Sequence, residues 1–162
     1  KFNDDVIFQK KITLPSYIQQ LKYCAQKFNI NLYKEDDSNL IYLLHNGTKI
    51  FCDAIKIQNK EIINFYTPAL NNKFLKNNNY LIDVLKLASQ IGTPVGVRTI
   101  LNEDTVCSFI HLLTDTLDQD EFEYTIQQLS KFPSEIDNLI NNNKYSSPKK
   151  TNNKKQISKN YD

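Results

Sequence analysis

Residues 40–58 read LIYLLHNGTKIFCDAIKIQ, and this stretch decides the fold class. Residues 40–45 are almost wholly apolar and run directly into Asn46-Gly47. An Asn-Gly pair between hydrophobic runs is the strongest short-range signal of a β-hairpin, because both residues tolerate the positive φ of a tight turn. The return run, residues 49–58, alternates Ile50, Cys52 and Ala54 with Phe51, Asp53, Ile55 and Ile57. Neither register is purely polar, which predicts a central strand with one face half covered. Gln58-Asn59-Lys60-Glu61 supplies a second turn, and residues 62–66 form a third strand that Pro68 is expected to end. The result is a meander of three antiparallel strands.

Before the meander, Ile18, Leu21, Ala25 and Phe28 recur at helical spacing, predicting a helix over residues 16–28 with its apolar stripe in the core. Thr13 is its expected N-cap, with Pro15 tolerated in the first turn. Residues 1–12 carry Phe2, Val6, Ile7, Phe8 and Ile12 and read as a lead-in strand or an arm.

After the meander comes a polar loop, then a helix over residues 80–91 with Leu81, Val84, Leu85, Ala88 and Ile91 on one face. Gly92 is placed as its C′ residue, and Pro94 forbids continuation. Residues 96–101 and 105–113 form a second hairpin across Asn102-Glu103-Asp104. A third helix opens at Asp118, with Glu121 three residues on as a variant capping box. Phe122, Ile126, Leu129, Ile136 and Ile140 carry its apolar side, and Pro133 is expected to kink or split it near Phe132. The element order is α-βββ-α-ββ-α, an α+β two-layer sandwich with a five-stranded antiparallel sheet and helices packed on it.

From Asn141 onward apolar periodicity stops. The expectation is one domain over residues 1–140 and a disordered Lys/Asn-rich tail over residues 141–162. With a hydrophobic fraction of 40% and an aromatic fraction of 11%, the sequence as a whole has the composition of a folded chain. The net charge of +2 is unevenly spread. Six lysines and the single acid Asp162 lie from Lys144 onward, leaving 14 basic and 17 acidic residues, or −3, in the first 143 positions. A basic groove for nucleic acid belongs in the fold itself, and this fold is mildly acidic.

Cys24, Cys52 and Cys107 are far apart, form no CxxC pair and sit in apolar segments. They read as buried free thiols in the cytoplasm or another reducing compartment. No apolar run approaches a membrane span, which predicts a soluble protein. The two histidines, His45 and His111, have no metal-ligand spacing and read as strand-edge or core residues. Asp115, Asp118, Asp120, Glu121 and Glu123 complement the dipole of a helix N-terminus, while Asp36-Asp37 stands alone. With three glycines there is no phosphate-cradling loop. Together these point away from an enzyme, a metal or a cofactor.

Arg98 is the one arginine in a lysine-rich chain, which suggests that its planar fork serves a carboxylate or an interface. Residues 62–66, with Ile62, Phe65 and Tyr66, are a candidate edge for pairing with a partner's strand, as is the Val6–Phe8 run. Lys149, Lys150, Lys154 and Lys155 are the candidate contacts if the tail binds a polyanion.

Residues 80–140 carry a further signal: LIDVLKLA at 81–88, GTPVG at 92–96, the hairpin 97–113, and LDQDEF at 117–122. A helix ending in a Gly/Pro turn, then a hairpin, then an acidic-capped helix resembles the pattern of the YbjN family and the type III secretion chaperone-like fold. The resemblance implies non-catalytic work: a domain, often a homodimer, that holds a segment of another protein through sheet and helix surfaces. The mildly acidic core departs from the strongly acidic secretion chaperones. The expected function is thus a protein-binding adaptor or chaperone-like assembly factor, with nucleic-acid association through the basic tail as the alternative.

Overall fold

A computed structural model describes residues 16–35, 38, 40–71 and 78–143, and for residues 70, 71, 140 and 143 the backbone alone. The Thr13 cap, the Val6–Phe8 run and the tail lysines lie outside these residues. Chain order is α1 (Ser16–Lys27), β1 (Leu32–Lys34), β2 (Ile41–His45), β3 (Thr48–Ile57), β4 (Lys60–Asn71), α2 (Asn78–Ile91), β5 (Val95–Ile100), β6 (Glu103–Leu113), a 3₁₀ turn (Thr114–Thr116) and α3 (Gln119–Asn143). The strands form one antiparallel sheet in the order β1-β2-β3-β4-β6-β5.

The α+β architecture matches the expectation, but the sheet has six strands where five are expected, and the order is α-ββββ-α-ββ-α. The additional strand, β1, is only Leu32-Tyr33-Lys34. Three residues are too few to show a period of two, and pairing with β2 through Leu32↔Leu43 and Tyr33↔Tyr42 is what makes them a strand.

Three tight turns set the registers. Asn46 and Gly47, Gln58 and Asn59, and Leu101 and Asn102 each place two successive residues at positive φ, the signature of type I′ hairpin turns. The third turn therefore falls at Leu101-Asn102, and β6 already begins at Glu103, one turn position earlier than Asn102-Glu103-Asp104. Leucine is disfavoured at positive φ, so the residue types pointed elsewhere.

Pro68 does not end β4, which continues to Asn71. Its ladder to β3 stops at Tyr66, while its ladder to β6 shifts register between Pro68 and Leu70. A bulge in a strand is one of the few places where a missing N–H is tolerated. Pro133 likewise does not split α3, which is one helix of 25 residues reaching Asn143. Phe132 and Ile136, on either side of the proline, are fully buried against Tyr80, Val84 and Val106, and that packing holds the two halves in line. Asp118 caps the helix as expected, accepting the Glu121 N–H at 2.8 Å.

The helices cover one face of the sheet. Leu21, Cys24 and Ala25 of α1 and Phe122, Ile126 and Leu129 of α3 pack on Leu43, Ile50, Cys52, Ile63 and Phe65. The α2 helix joins this layer through Tyr80, Val84 and Ala88. The opposite face holds a smaller cluster made of sheet residues: Phe51, Tyr66, Ile100 and Cys107, flanked by Leu40, Tyr42 and Phe109. The register aligns Tyr33, Tyr42, Phe51 and Tyr66 across four strands, with neighbouring rings 5.3, 5.9 and 5.6 Å apart. Such cross-strand aromatic pairs stabilise a sheet face that none of the described helices covers.

Candidate protein-binding site

A sheet edge is where a partner can add backbone hydrogen bonds, so the two edges, β1 and β5, come first. The β1 edge is three residues long and runs into charge at Lys34 and Glu35, two devices that discourage pairing. The β5 edge differs. Among the described residues its six, VGVRTI, are hydrogen-bonded to a strand on one side only, β6. Its one charged side chain, Arg98, is folded back onto the protein: Nη2 donates to Asp53 Oδ2 at 3.0 Å, and the guanidinium carbon lies 3.9 Å from the Tyr66 ring centroid. That leaves the edge without a free charge.

Reaching Asp53 requires the sheet to curl. The β5 and β3 strands are separated by β6 and β4, about 14 Å in a flat sheet at ~4.8 Å per strand. The β4 ladder carries a bulge between Pro68 and Leu70, a feature that bends strands, and Ile100 and Cys107 cluster with Phe51 and Tyr66 on this face. Burial then pushes the Tyr66 hydroxyl up to about 12, with the Asp53 carboxylate adding to the shift. Burial also raises the Cys107 thiol to about 11, with Arg98 opposing.

On the helical face, Val95 packs against the Tyr80–Val84–Ala88 cluster. Val97, two residues on and facing the same way, is 58% exposed. Beside it, α2 buries Tyr80, Val84 and Ala88 but leaves Ile82, Leu85 and Ile91 in solvent. This revises the expected inner face. Tyr80 is in the core and Leu85 is outside, because α2 is apolar around most of its circumference and spacing alone does not select a side, while Ile91, on the buried side, is exposed at the helix end. At the tip of the β5–β6 hairpin, Leu101 is 54% exposed at φ +49°.

The residues expected to bind a partner separate accordingly. Arg98 lies on the true edge strand but spends its fork within the chain. Ile62, Phe65 and Tyr66 do not form an edge, because β4 is paired with β3 and β6 on both sides. Phe65 and Tyr66 are buried, and Ile62 is half-buried. A run of apolar residues before a proline reads like an edge, but the bulge lets the strand stay central. Val97, Leu101 and Ile82 carry no sequence-based expectation and Leu85 is expected inside; the available signal is a hydrophobic hairpin whose turn carries leucine, next to a helix apolar on two sides.

Elsewhere, all three cysteines are free and buried, as expected. His45 sits at the end of β2, stacked on Phe28 with centroids 5.3 Å apart, and His111 is exposed on β6, stacked on Phe109 at 5.1 Å. Among the described residues no cluster of three His, Cys, Asp or Glu is placed to hold a metal ion, and no helix is long and apolar enough to cross a membrane.

At the level of sequence, no protein family matches the chain, and no curated relative does. Solved structures share its fold. An uncharacterized protein from Methanothermobacter thermautotrophicus is 8% identical, with 78% of this chain and 98% of that one covered and a TM-score of 0.54. YbjN from E. coli, whose description as a transcription regulator is itself provisional, is 12% identical, with 83% and 96% covered and a TM-score of 0.48.

Proposed function

We propose that this protein is a non-catalytic binding module that holds a segment of another protein, or of a second copy of itself, along β5 and the outer face of α2. The observation that carries the reading is Leu101. A leucine at φ +49° with half its surface in water is unfavourable on two separate grounds, backbone conformation and solvation. Strain and exposure together at one hairpin tip support a site whose cost is recovered on binding. Val97 on the adjoining edge strand and Ile82 and Leu85 on α2 are further large apolar side chains left about half in water.

The mode that fits is strand addition to β5, with main-chain hydrogen bonds providing affinity and the apolar side chains selecting the segment. A homodimer built on this edge and a complex with a client protein use the same surface. The buried free cysteines fit a reducing compartment such as the cytoplasm.

Size-exclusion chromatography combined with capture from lysate tests the reading. Wild-type protein is expected to self-associate or retain a discrete partner, and Val97→Lys and Leu85→Asp to abolish it while the fold stays intact by circular dichroism. A strictly monomeric protein that retains nothing, or variants that retain as much as wild type, overturns it.

A further inference from the structure

A cleft of about 320 Å³ lies between the tip of the β2–β3 hairpin and the middle of α3, on residues that the protein-binding surface does not use. From the hairpin come His45, Asn46 and Thr48; from α3 come Gln127, Ser130, Lys131 and Ser134, whose spacing places them on one helical face. Every lining side chain is polar and none is acidic. Lys131 forms no ion pair with any carboxylate among the described residues.

The wall is partly organised in advance. The His45 ring is stacked on Phe28 and lies 3.3 Å, Nε2 to Nδ2, from Asn46. Ser130 donates its proton to the Ile126 carbonyl at 2.6 Å, so its oxygen faces the cleft as an acceptor. Lys131, Ser134, Thr48 and the amides of Asn46 and Gln127 retain donors. Several neutral donors around one ammonium, with no carboxylate to compete, suit an anion held by charge-assisted hydrogen bonds. The size is at the lower end of small-molecule sites, roughly 300–1,000 Å³, which leaves room beyond the anion. A lining whose surface is mostly polar favours a hydroxylated body in that room.

We infer that this cleft binds a small phosphomonoester of a polyol, with Lys131 and Ser134 on the phosphate. Amide chemical shifts of the full chain, titrated at constant ionic strength with glycerol phosphate, inorganic phosphate and glycerol, test it. Saturable shifts centred on Asn46–Thr48 and on residues 127–134 are expected with glycerol phosphate, weaker binding with inorganic phosphate and none with glycerol. Lys131→Ala is expected to weaken glycerol phosphate roughly tenfold, the loss of one charge-assisted bond, and Ser134→Ala by less. Absence of saturable shifts, or equal affinity in Lys131→Ala, overturns the site. Equal affinity for inorganic phosphate overturns the polyol assignment.

Discussion

Arg98 on the edge strand β5 is tied to Asp53 on β3, three strands away, by a 3.0 Å ion pair. The contact reaches across β6 and β4, and it fastens the edge strand to the centre of the sheet. Asn64 Nδ2 donates to the other Asp53 oxygen at 2.7 Å, and Tyr66 lies under the guanidinium. The fork suggested by a lone arginine is therefore used inside the chain, to hold a carboxylate and a ring in place.

Both charges are about one-third exposed, so the pair is worth little by itself. A double-mutant cycle of Arg98→Ala and Asp53→Ala is expected to give a coupling of about 0.5–1 kcal/mol by chemical denaturation. Arg98→Lys is expected to recover only part of it, since an ammonium cannot both bond Asp53 and stack on Tyr66. Amide exchange in β5 should accelerate in all three variants. A coupling of zero with unchanged exchange removes the clasp.

Leu101→Gly relieves the positive φ at the hairpin tip. Stability is expected to rise by about 0.5–1 kcal/mol while partner retention falls, the pattern of a residue kept for binding at the expense of stability. A destabilised Leu101→Gly variant would show that the leucine serves the fold.

Pro133 lies within α3 and cannot donate the helical hydrogen bond to the Leu129 carbonyl. Pro133→Ala restores that donor, and denaturation is expected to show a gain of about 1–3 kcal/mol. Loss of stability would mean that the proline ring is needed for packing.

Stability is expected to decline at alkaline pH. Burial raises Cys107 from 9.0 to about 11, and Tyr66 and Tyr80 from 10.0 to about 12. Each group holds its proton more tightly when folded, so its contribution is complete below the unfolded value and is lost as pH rises through the folded one. Denaturation midpoints should be flat across neutral pH and fall between about pH 9 and 12. Tyrosinate absorbance should show a late-titrating class that merges with the rest on unfolding. A midpoint flat through this range contradicts the assigned burial.

Much of this architecture was legible in residue patterns. Asn46-Gly47, the Asp118 cap and Gly92 at φ +67° each act within a few residues, so local chemistry suffices to place them. What escaped depends on contacts made far along the chain. The β1 strand exists only through its pairing with β2. Pro68 and Pro133 are tolerated because a bulge and a buried Phe132–Ile136 pair compensate for them. The binding surface was the least legible part. Residues 62–66 and 95–100 are both short hydrophobic runs, and only the strand order makes the second an edge.

The central claim is that β5 and α2 present the binding surface, and site-specific photo-crosslinking in cells tests it most directly. A photoreactive side chain is placed at Val97 or Leu85, and, as a control, at Tyr124, which is 62% exposed on α3. The account predicts a discrete adduct from positions 97 and 85, of twice the chain mass for self-association or another mass for a client, and none from 124. No adduct from 97 and 85, or the same yield from all three, would contradict it.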